Sequence, residues 1–232
     1  AEDAGYLEAA ITGVHLGSYG RDLDPPTTLV SLIARLVDGT SSLRFRISSL
    51  EPMDCPAGVI DLASAHPDRI APHFHLPLQH ASDRLLAAMR RPYTLAQYAA
   101  LVGGIRARLP HAAIGSDVIV GFPGETDDDF EALAAYLERS PLTHLHVFPY
   151  SERPGTDAAA LPDKVHGGVV KARAARIREI SRALQSRFRA ALAGTVRPAL
   201  AIEDGSVAMT DNYIRVPLPS GHARNDRVLV TL

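Results

Sequence analysis

The sequence contains a single cysteine, Cys55, and no tryptophan in 232 residues. One cysteine excludes an internal disulfide, and it excludes an iron–sulfur or zinc site that only cysteines of this chain would ligate. No apolar run approaches the length of a membrane span, and the first residues lack the charged and then apolar pattern of a secretory signal. We therefore expect a cytoplasmic protein.

An excess of charge of one sign is also missing. The formal net charge is −2, so overall charge indicates no class of partner, and any charged contact must come from a local cluster. Hydrophobic residues make up 46% of the chain, which is enough to build the core of one large domain and a smaller second one.

The stretch from Gly115 to Thr126 predicts half of a βαβ unit. Val118–Val120 is a short β-branched run of the kind buried in a parallel sheet, and the glycines in 121–124 break it into a tight turn. Thr126 and Asp129 have the spacing of a capping box, so a helix should begin directly after the turn. Such a turn either makes a tight corner or lets a ligand touch backbone.

The same alternation of strand and helix runs through most of the chain. Each predicted strand ends in a polar or glycine-bearing loop, which is the pattern of a parallel barrel or a doubly wound sheet. A closed (β/α)₈ barrel needs eight strands, and only five are found, so we predict an α/β fold with a partial barrel. The predicted strands are Ala9–Val14, Leu43–Ser49, His73–Leu78, Gly115–Val120 and Thr143–Pro149.

The remainder of the chain predicts a long helix and a β module. Val169–Leu192 has the apolar spacing of one helix, and short β-like runs separated by turns follow Gly194, as in a small and incomplete β-barrel. We therefore divide the chain into a partial barrel (1–165), a connecting helix (166–193) and a β module (194–232).

One face of the long helix is basic. Four cations fall within about 20° of one line along a helix with 3.6 residues per turn. A solvated face is the common interpretation of such a pattern, and a contact to nucleic-acid phosphates is the functional one. The four residues, called the basic ridge below, are Lys171, Arg178, Arg182 and Arg189.

Two His-x-His pairs offer an alternative chemistry. Alternation places His73 with His75, and His144 with His146, on one face of each strand, and Asp117 could join them in the metal site of a barrel hydrolase. Both pairs lie near the starts of their strands, whereas ligands of parallel α/β folds bind at the carboxyl ends. We therefore predict structural histidines and no metal site.

Several motifs together resemble the radical SAM methylthiotransferases, which insert a methylthio group into tRNA adenosines or into an aspartate of a ribosomal protein. Each motif is weak alone, but all of them occur in the order of that family. The tail around Asn212–Val216 is similar to the family's TRAM domain, a small RNA-binding β-barrel. The matching stretches are Thr12–Gly20, Arg46–Pro52, Leu76–Gln79, Asp117–Thr126, His146–Ser151 and Arg153–Thr156.

The resemblance implies S-adenosylmethionine (SAM) bound across the strand ends. In that arrangement Gly13 lies near the methionine part, polar groups face the amino, carboxylate or ribose groups, and Gly121 lets backbone approach the adenine. Phe148 and Tyr150 would add contacts to that ring. The implied SAM-binding residues are Gly13, His15, Ser48, Glu51, Gln79, Ser82, Gly121, Phe148 and Tyr150.

The resemblance also implies two [4Fe–4S] clusters, for which this chain has no ligand set. The family holds the SAM-cleaving cluster with a Cys-x₃-Cys-x₂-Cys loop, and Cys55 matches no motif position. We therefore expect a C-terminal fragment whose parent protein carries the clusters, and we expect this chain alone to be inactive.

The implied partner is tRNA at the anticodon stem-loop, since the Ser-Leu-Glu-Pro stretch is most similar to the branch that acts on threonylcarbamoyladenosine. Gln79–Ser82 is closer to the branch that modifies a ribosomal protein. A non-catalytic RNA-binding module that uses the basic ridge and the β module stays open as a further alternative.

Overall fold

The computed structural model describes all residues from 1 to 232. Six α-helices and nine β-strands make up the chain, and no helix is both long and apolar enough to cross a membrane. The helices are α1 (Leu29–Asp38), α2 (Ala57–Ala65), α3 (Asp83–Ala88), α4 (Leu95–Arg108), α5 (Asp127–Arg139) and α6 (Gly167–Ala191). The strands are β1 (Glu8–Ile11), β2 (Arg44–Ile47), β3 (His73–His75), β4 (Ala113–Val120), β5 (His144–Pro149), β6 (Val196–Ile202), β7 (Val207–Thr210), β8 (Arg215–Pro217) and β9 (Arg227–Thr231).

The predicted α/β class with parallel strands is confirmed, and every predicted strand is present in some form. The third one is shorter than expected, because β3 ends at His75 and not at Leu78. Pro77 has no N–H to donate to a ladder, which ends regular pairing. The chain nevertheless stays beside β4, since the Leu76 and Gln79 N–H groups donate to the carbonyls of Gly115 and Asp117.

The chain divides into two compact units. Unit 1 contains residues 1–75, 105–113 and 189–232, and unit 2 contains residues 76–104 and 114–188. This division combines the first three strands with the C-terminal β module, whereas the sequence predicts separate domains at 1–165, 166–193 and 194–232. Those domain boundaries stay a prediction.

In unit 1, the N-terminal strands are parallel. β1 pairs with β2 in the register Glu8↔Arg44 to Ile11↔Ile47. On the other side of β2, Phe45 exchanges backbone hydrogen bonds with Arg69 and Ala71 just before β3. Helices α1 and α2 follow β1 and β2 in the chain, and each buries an apolar face that includes Ile33 or Val59. This is the repeated βα pattern that the sequence predicts.

The C-terminal module of unit 1 is a four-stranded antiparallel sheet. Its strand order is β8-β7-β6-β9, and its small core contains Ala199, Ala208 and Val230. The turn after β7 packs against the start of the parallel strands of the same unit: the Tyr213 ring lies 4.3 Å from the His73 ring, and the Arg46 guanidinium lies 5.3 Å from the Tyr213 ring centroid. Arg46 also pairs with Glu8 at 2.8 Å.

In unit 2, β4 pairs in parallel with β5 in the register Gly115↔His144 to Val120↔Pro149. Helix α5 begins at the predicted capping box, in which Thr126 and Asp129 each accept a backbone hydrogen bond from the other. Helix α6 buries the stripe Ala174, Ile177, Ile180 and Leu184, which are spaced as one apolar helix face. Helix α6 therefore packs through one apolar face, as its predicted spacing requires.

Candidate cofactor and nucleic-acid site

The turn after β4 is held in place by a hydrogen bond and by close packing against α6. Gly121 has φ of 79°, and its N–H donates to the Glu125 carboxylate. A Cβ at this position would lie 2.4 Å from Val170 Cγ2 on α6. Glycine is required here both by the left-handed backbone and by the helix that packs against it.

Glu125 is the centre of a polar cluster in unit 2 in which the side chains of Glu125, His80 and Arg173 are buried. Its Oε1 lies 3.3 Å from Arg173 Nη1, and Arg173 Nη2 lies 2.6 Å from Asp127 Oδ1. His80 Nδ1 accepts a hydrogen bond from the Ser82 N–H, so in the neutral ring the proton is on Nε2, which lies 3.8 Å from Glu125 Oε1. The cluster ties the β4 turn to α6 and to the segment after Gln79.

The tip of β5 carries an exposed aromatic side chain. Phe148 is 50% exposed, and its register partner across the ladder is Ile119, which is half-buried. The next aromatic residue, Tyr150, packs its ring edge-on against Phe122, with centroids 5.5 Å apart. Phe148 and Ile119 therefore form an apolar surface at the carboxyl end of the parallel strands, where ligands of such folds bind.

Gln79 and Ser82 lie close to this tip through backbone contacts. Gln79 is buried and has φ of 66°, an uncommon value for a residue with a side chain, and its carbonyl accepts from the Ile119 N–H. Ser82 occupies the N-cap of α3 but makes no side-chain cap bond. Desolvation would raise the pKa of the Asp129 carboxyl, but hydrogen bonds from the Ser82 hydroxyl, from Thr126 and from Arg84 together lower it.

The remaining implied SAM-binding residues are in unit 1. His15 Nε2 lies 2.5 Å from Asp54 Oδ2 in the loop after β1, and Asp54 also pairs with Arg21 at 3.2 Å. Gly13 is exposed in the same loop. Ser48 and Glu51 are half-buried beyond β2, where the Ser48 N–H donates to the carbonyl of Ile11.

A Cβ at Gly13 would make only ordinary contact with Leu16, 3.5 Å away, so packing does not require a glycine there. The roles of all nine implied SAM-binding residues stay predictions.

The histidine pairs have several partners inside the protein. His73 is buried against Tyr213, and His75 Nδ1 lies 2.5 Å from the Ser49 hydroxyl. His146 Nδ1 lies 3.1 Å from Asp117 Oδ1, and a Cβ at Gly115 would lie 2.3 Å from the ring of His144. These contacts give each ring a packing or hydrogen-bonding role.

The basic ridge divides into two kinds of residue. Arg182 lies 3.8 Å from Glu179, and Arg189 donates to the carbonyl of Arg215. Lys171 and Arg178 make no hydrogen bond or ion pair within the chain, and both line a groove with Tyr150 in unit 2.

Sequence reasoning did not find the buried partner of Glu125. Arg173 occupies a position of the buried α6 stripe, because Val170, Arg173, Ala174 and Ile177 follow the spacing i, i+3, i+4, i+7. A cation on an apolar face indicates a buried acidic partner, and that pattern was available in the sequence.

An iron–sulfur cluster does not fit the cysteine content of this chain. Cys55 is 7% exposed, and desolvation raises the pKa of its thiol to about 12, whereas a cluster needs several accessible thiolates. The tip of β5 does fit one part of SAM, because the exposed Phe148 ring offers an apolar surface to a purine.

Comparison with known proteins gives the family of the chain. The model of the Radical SAM superfamily matches residues 2–137. The threonylcarbamoyladenosine tRNA methylthiotransferase MtaB of Bacillus subtilis is 36% identical over 224 residues, which cover 92% of this chain and 49% of that protein. The tRNA-2-methylthio-N(6)-dimethylallyladenosine synthase 1 of Mycobacterium marinum is 35% identical and covers 98% of this chain and 44% of its own length.

The chain thus spans about half the length of these curated relatives. Among solved structures, coproporphyrinogen III oxidase HemN of Escherichia coli, a radical SAM enzyme, has a TM-score of 0.51 at 15% identity and covers 69% of this chain and 37% of its own. That likeness supports the fold. The chain belongs to the Radical SAM superfamily, and the resemblance to its methylthiotransferase branch is confirmed.

Proposed function

We propose that this chain is the C-terminal part of a tRNA methylthiotransferase that modifies an adenosine next to the anticodon. The observation that carries the proposal is the identity of 35–36% over more than nine-tenths of the chain to enzymes named for this reaction. The threonylcarbamoyladenosine branch is our first choice of substrate, and the aspartate of a ribosomal protein is the alternative within the family.

SAM supplies the methyl and deoxyadenosyl groups in this chemistry. The chain's own contribution is to hold that cofactor at the strand tips. Phe148 and Ile119 would cover one face of the adenine, and the backbone beside Gly121, fixed by Glu125, would face its edge. Because Cys55 cannot ligate a cluster, we propose that other polypeptide supplies the thiolates and that this chain alone is inactive.

The RNA contact is proposed for the basic ridge. Cations on an exposed helix face bind phosphates with an affinity that falls as salt rises. The test measures binding of the purified chain to a labelled anticodon stem-loop RNA carrying threonylcarbamoyladenosine, in parallel with the isolated ribosomal protein. We expect salt-sensitive RNA binding that weakens when all four ridge cations become Glu.

Tighter binding to the ribosomal protein than to the RNA would instead favour the alternative substrate. Binding to neither would overturn the proposal. Unchanged RNA binding by the variant with four glutamates would reject the ridge as the contact surface.

A further inference from the structure

We propose that the groove between the tip of β5 and the first half of α6 binds the phosphate backbone of an RNA strand through Lys171 and Arg178. This inference rests on the proposed function and adds to it the place of contact. The groove, called the β5–α6 groove below, has a volume of about 470 Å³ and lies entirely within unit 2.

Charge in the β5–α6 groove is concentrated on two side chains. Lys164 lies at one end, but it pairs with Glu152 at 2.5 Å, so it adds little net charge. Lys171 and Arg178 are exposed, and neither has an acidic partner. They are seven residues apart on one helix, or about 10 Å along its axis, so they present two cationic points to a ligand. An extended polyanion can engage both points at once, which a single small anion cannot.

Apolar side chains make up part of the groove lining. Pro149, Val170 and Ala174 line it together with the two cations. Gly121 and Tyr150 also line the groove, so it adjoins the strand tips where the adenine of SAM is proposed to bind. A lining that combines apolar side chains with two cations suits a nucleotide strand, whose sugars and bases are less polar than its phosphates.

The groove is held in shape by buried contacts. Arg173 ties α6 to Glu125 and Asp127, and Val170 fills the space beside Gly121. The two cations therefore project from a helix whose position against β4 and β5 is fixed, which reduces the entropy lost on binding.

The two other cations of the basic ridge do not share this setting. Arg182 has Glu179 within 3.8 Å, and Arg189 is engaged by the carbonyl of Arg215. We infer that Lys171 and Arg178 contribute more to RNA binding than Arg182 and Arg189 do, although all four carry the same charge.

The experiment measures the affinity of the full chain for a labelled RNA stem-loop by fluorescence anisotropy over a series of salt concentrations. Lys171→Glu and Arg178→Glu should each weaken binding about fivefold or more and lower the slope of log affinity against log salt by about 0.7. The control is Arg35→Glu, the same change of charge on the exposed face of α1, which should alter affinity by less than about twofold.

A second variant tests shape without a change of charge. Gly167 lines the groove, and a Cβ there meets no atom within 4 Å, so Gly167→Leu should fold and should fill part of the groove. We expect weaker RNA binding from it. Gly103→Leu, at an equally open glycine of α4, is the matched control and should bind RNA like the unmodified chain.

Five outcomes decide between these interpretations. A larger loss of RNA affinity for Lys171→Glu, Arg178→Glu and Gly167→Leu than for their controls supports the groove as the RNA site.

Equal losses of affinity for the charge variants and Arg35→Glu would overturn the groove proposal. Unchanged binding by Gly167→Leu would overturn it as well. Either result would leave the proposed function intact. Displacement of the RNA by micromolar free AMP would also overturn it, because the groove would then be a mononucleotide pocket. Failure of the unmodified chain to bind any RNA would overturn the proposed tRNA partner itself.

Discussion

The guanidinium of Arg173 lies 3.3 Å from the carboxylate of Glu125, and both side chains are almost fully removed from solvent, at 6% and 0% exposure. The pair joins helix α6 to the turn after β4, the part of the sheet where the sequence predicts a ligand. A buried ion pair of this kind makes the turn depend on a residue 48 positions further along the chain.

Loss of this pair should destabilise unit 2. Arg173→Met leaves the Glu125 carboxylate buried without its cation, which costs about 3–5 kcal/mol in comparable cases. Urea unfolding measures the free energy change. Arg176→Gln removes the exposed Arg176–Glu131 pair one turn away and should cost less than about 1 kcal/mol. Similar losses of unfolding free energy from both substitutions would show that the buried pair stabilises the fold no more than the exposed pair does.

A side chain at Gly121 should also be costly. Gly121→Ala puts a methyl group 2.4 Å from Val170 and holds alanine at φ of 79°, so we expect a loss of about 1–3 kcal/mol in thermal or urea unfolding. Gly103→Ala, in the open interior of α4, should gain up to about 1 kcal/mol. The double variant with Val170→Ala should recover part of the loss. No recovery would mean that backbone strain alone accounts for the cost.

Exposed Phe148 should matter for SAM binding. Phe148→Ala removes the aromatic surface at the β5 tip, and stacking of a base on such a ring is worth about 1–3 kcal/mol, so affinity should fall about tenfold. Isothermal titration with SAM measures the change. Leu229→Ala removes another exposed apolar side chain, 74% exposed on β9, and should have no effect. An unchanged SAM affinity in Phe148→Ala would remove this residue from the proposed cofactor site.

The side-chain carboxyl group of Glu2 should make the free energy of unfolding depend on pH. The Ser42 and Ser41 N–H groups and hydroxyls donate to it and lower its pKa from 4.5 to about 2. Since the folded-state pKa is the lower one, the contribution is complete above pH 4.5 and is lost as the pH falls towards 2. Urea midpoints of Glu2→Gln and the unmodified chain should therefore differ at pH 6 and converge as the pH falls towards about 2. Asp3→Asn is the neighbouring control, and a difference that persists in acid would contradict the assignment.

Cys55 should be inert in the folded protein. Burial raises the pKa of its thiol to about 12, so very little thiolate exists near neutral pH. Alkylation with iodoacetamide at about pH 8 should be at least 100-fold slower in buffer than in concentrated urea. Mass spectrometry counts the modified fraction. Rapid modification without urea would show that the loop around this residue opens readily.

Much of the fold could be predicted because it depends on local patterns. The capping box of Thr126 and Asp129 involves residues three apart, and the predicted helix Val169–Leu192 is observed as α6, Gly167–Ala191. Strand ends were less predictable, since β1 stops at Ile11 where the chain becomes exposed, before the predicted end at Val14.

The site was predictable only as a set of loops. The alternation of strands and helices predicts that Gly121 lies at a strand end. It does not indicate that Val170 fills the space beside Gly121, because the two residues are 49 positions apart in the chain. The basic ridge was predicted as four equivalent cations, and the contacts of Arg182 and Arg189 distinguish them from Lys171 and Arg178. Such differences depend on tertiary neighbours, which spacing along one helix does not reveal.

Because Val170 fills the space beside Gly121, the substitutions that each position tolerates should depend on the residue at the other. As long as residue 121 is glycine, the helix can keep a β-branched residue opposite it. A descendant that gained any side chain at 121 would first have to lose volume at 170, so the two substitutions should be acquired in that order or together.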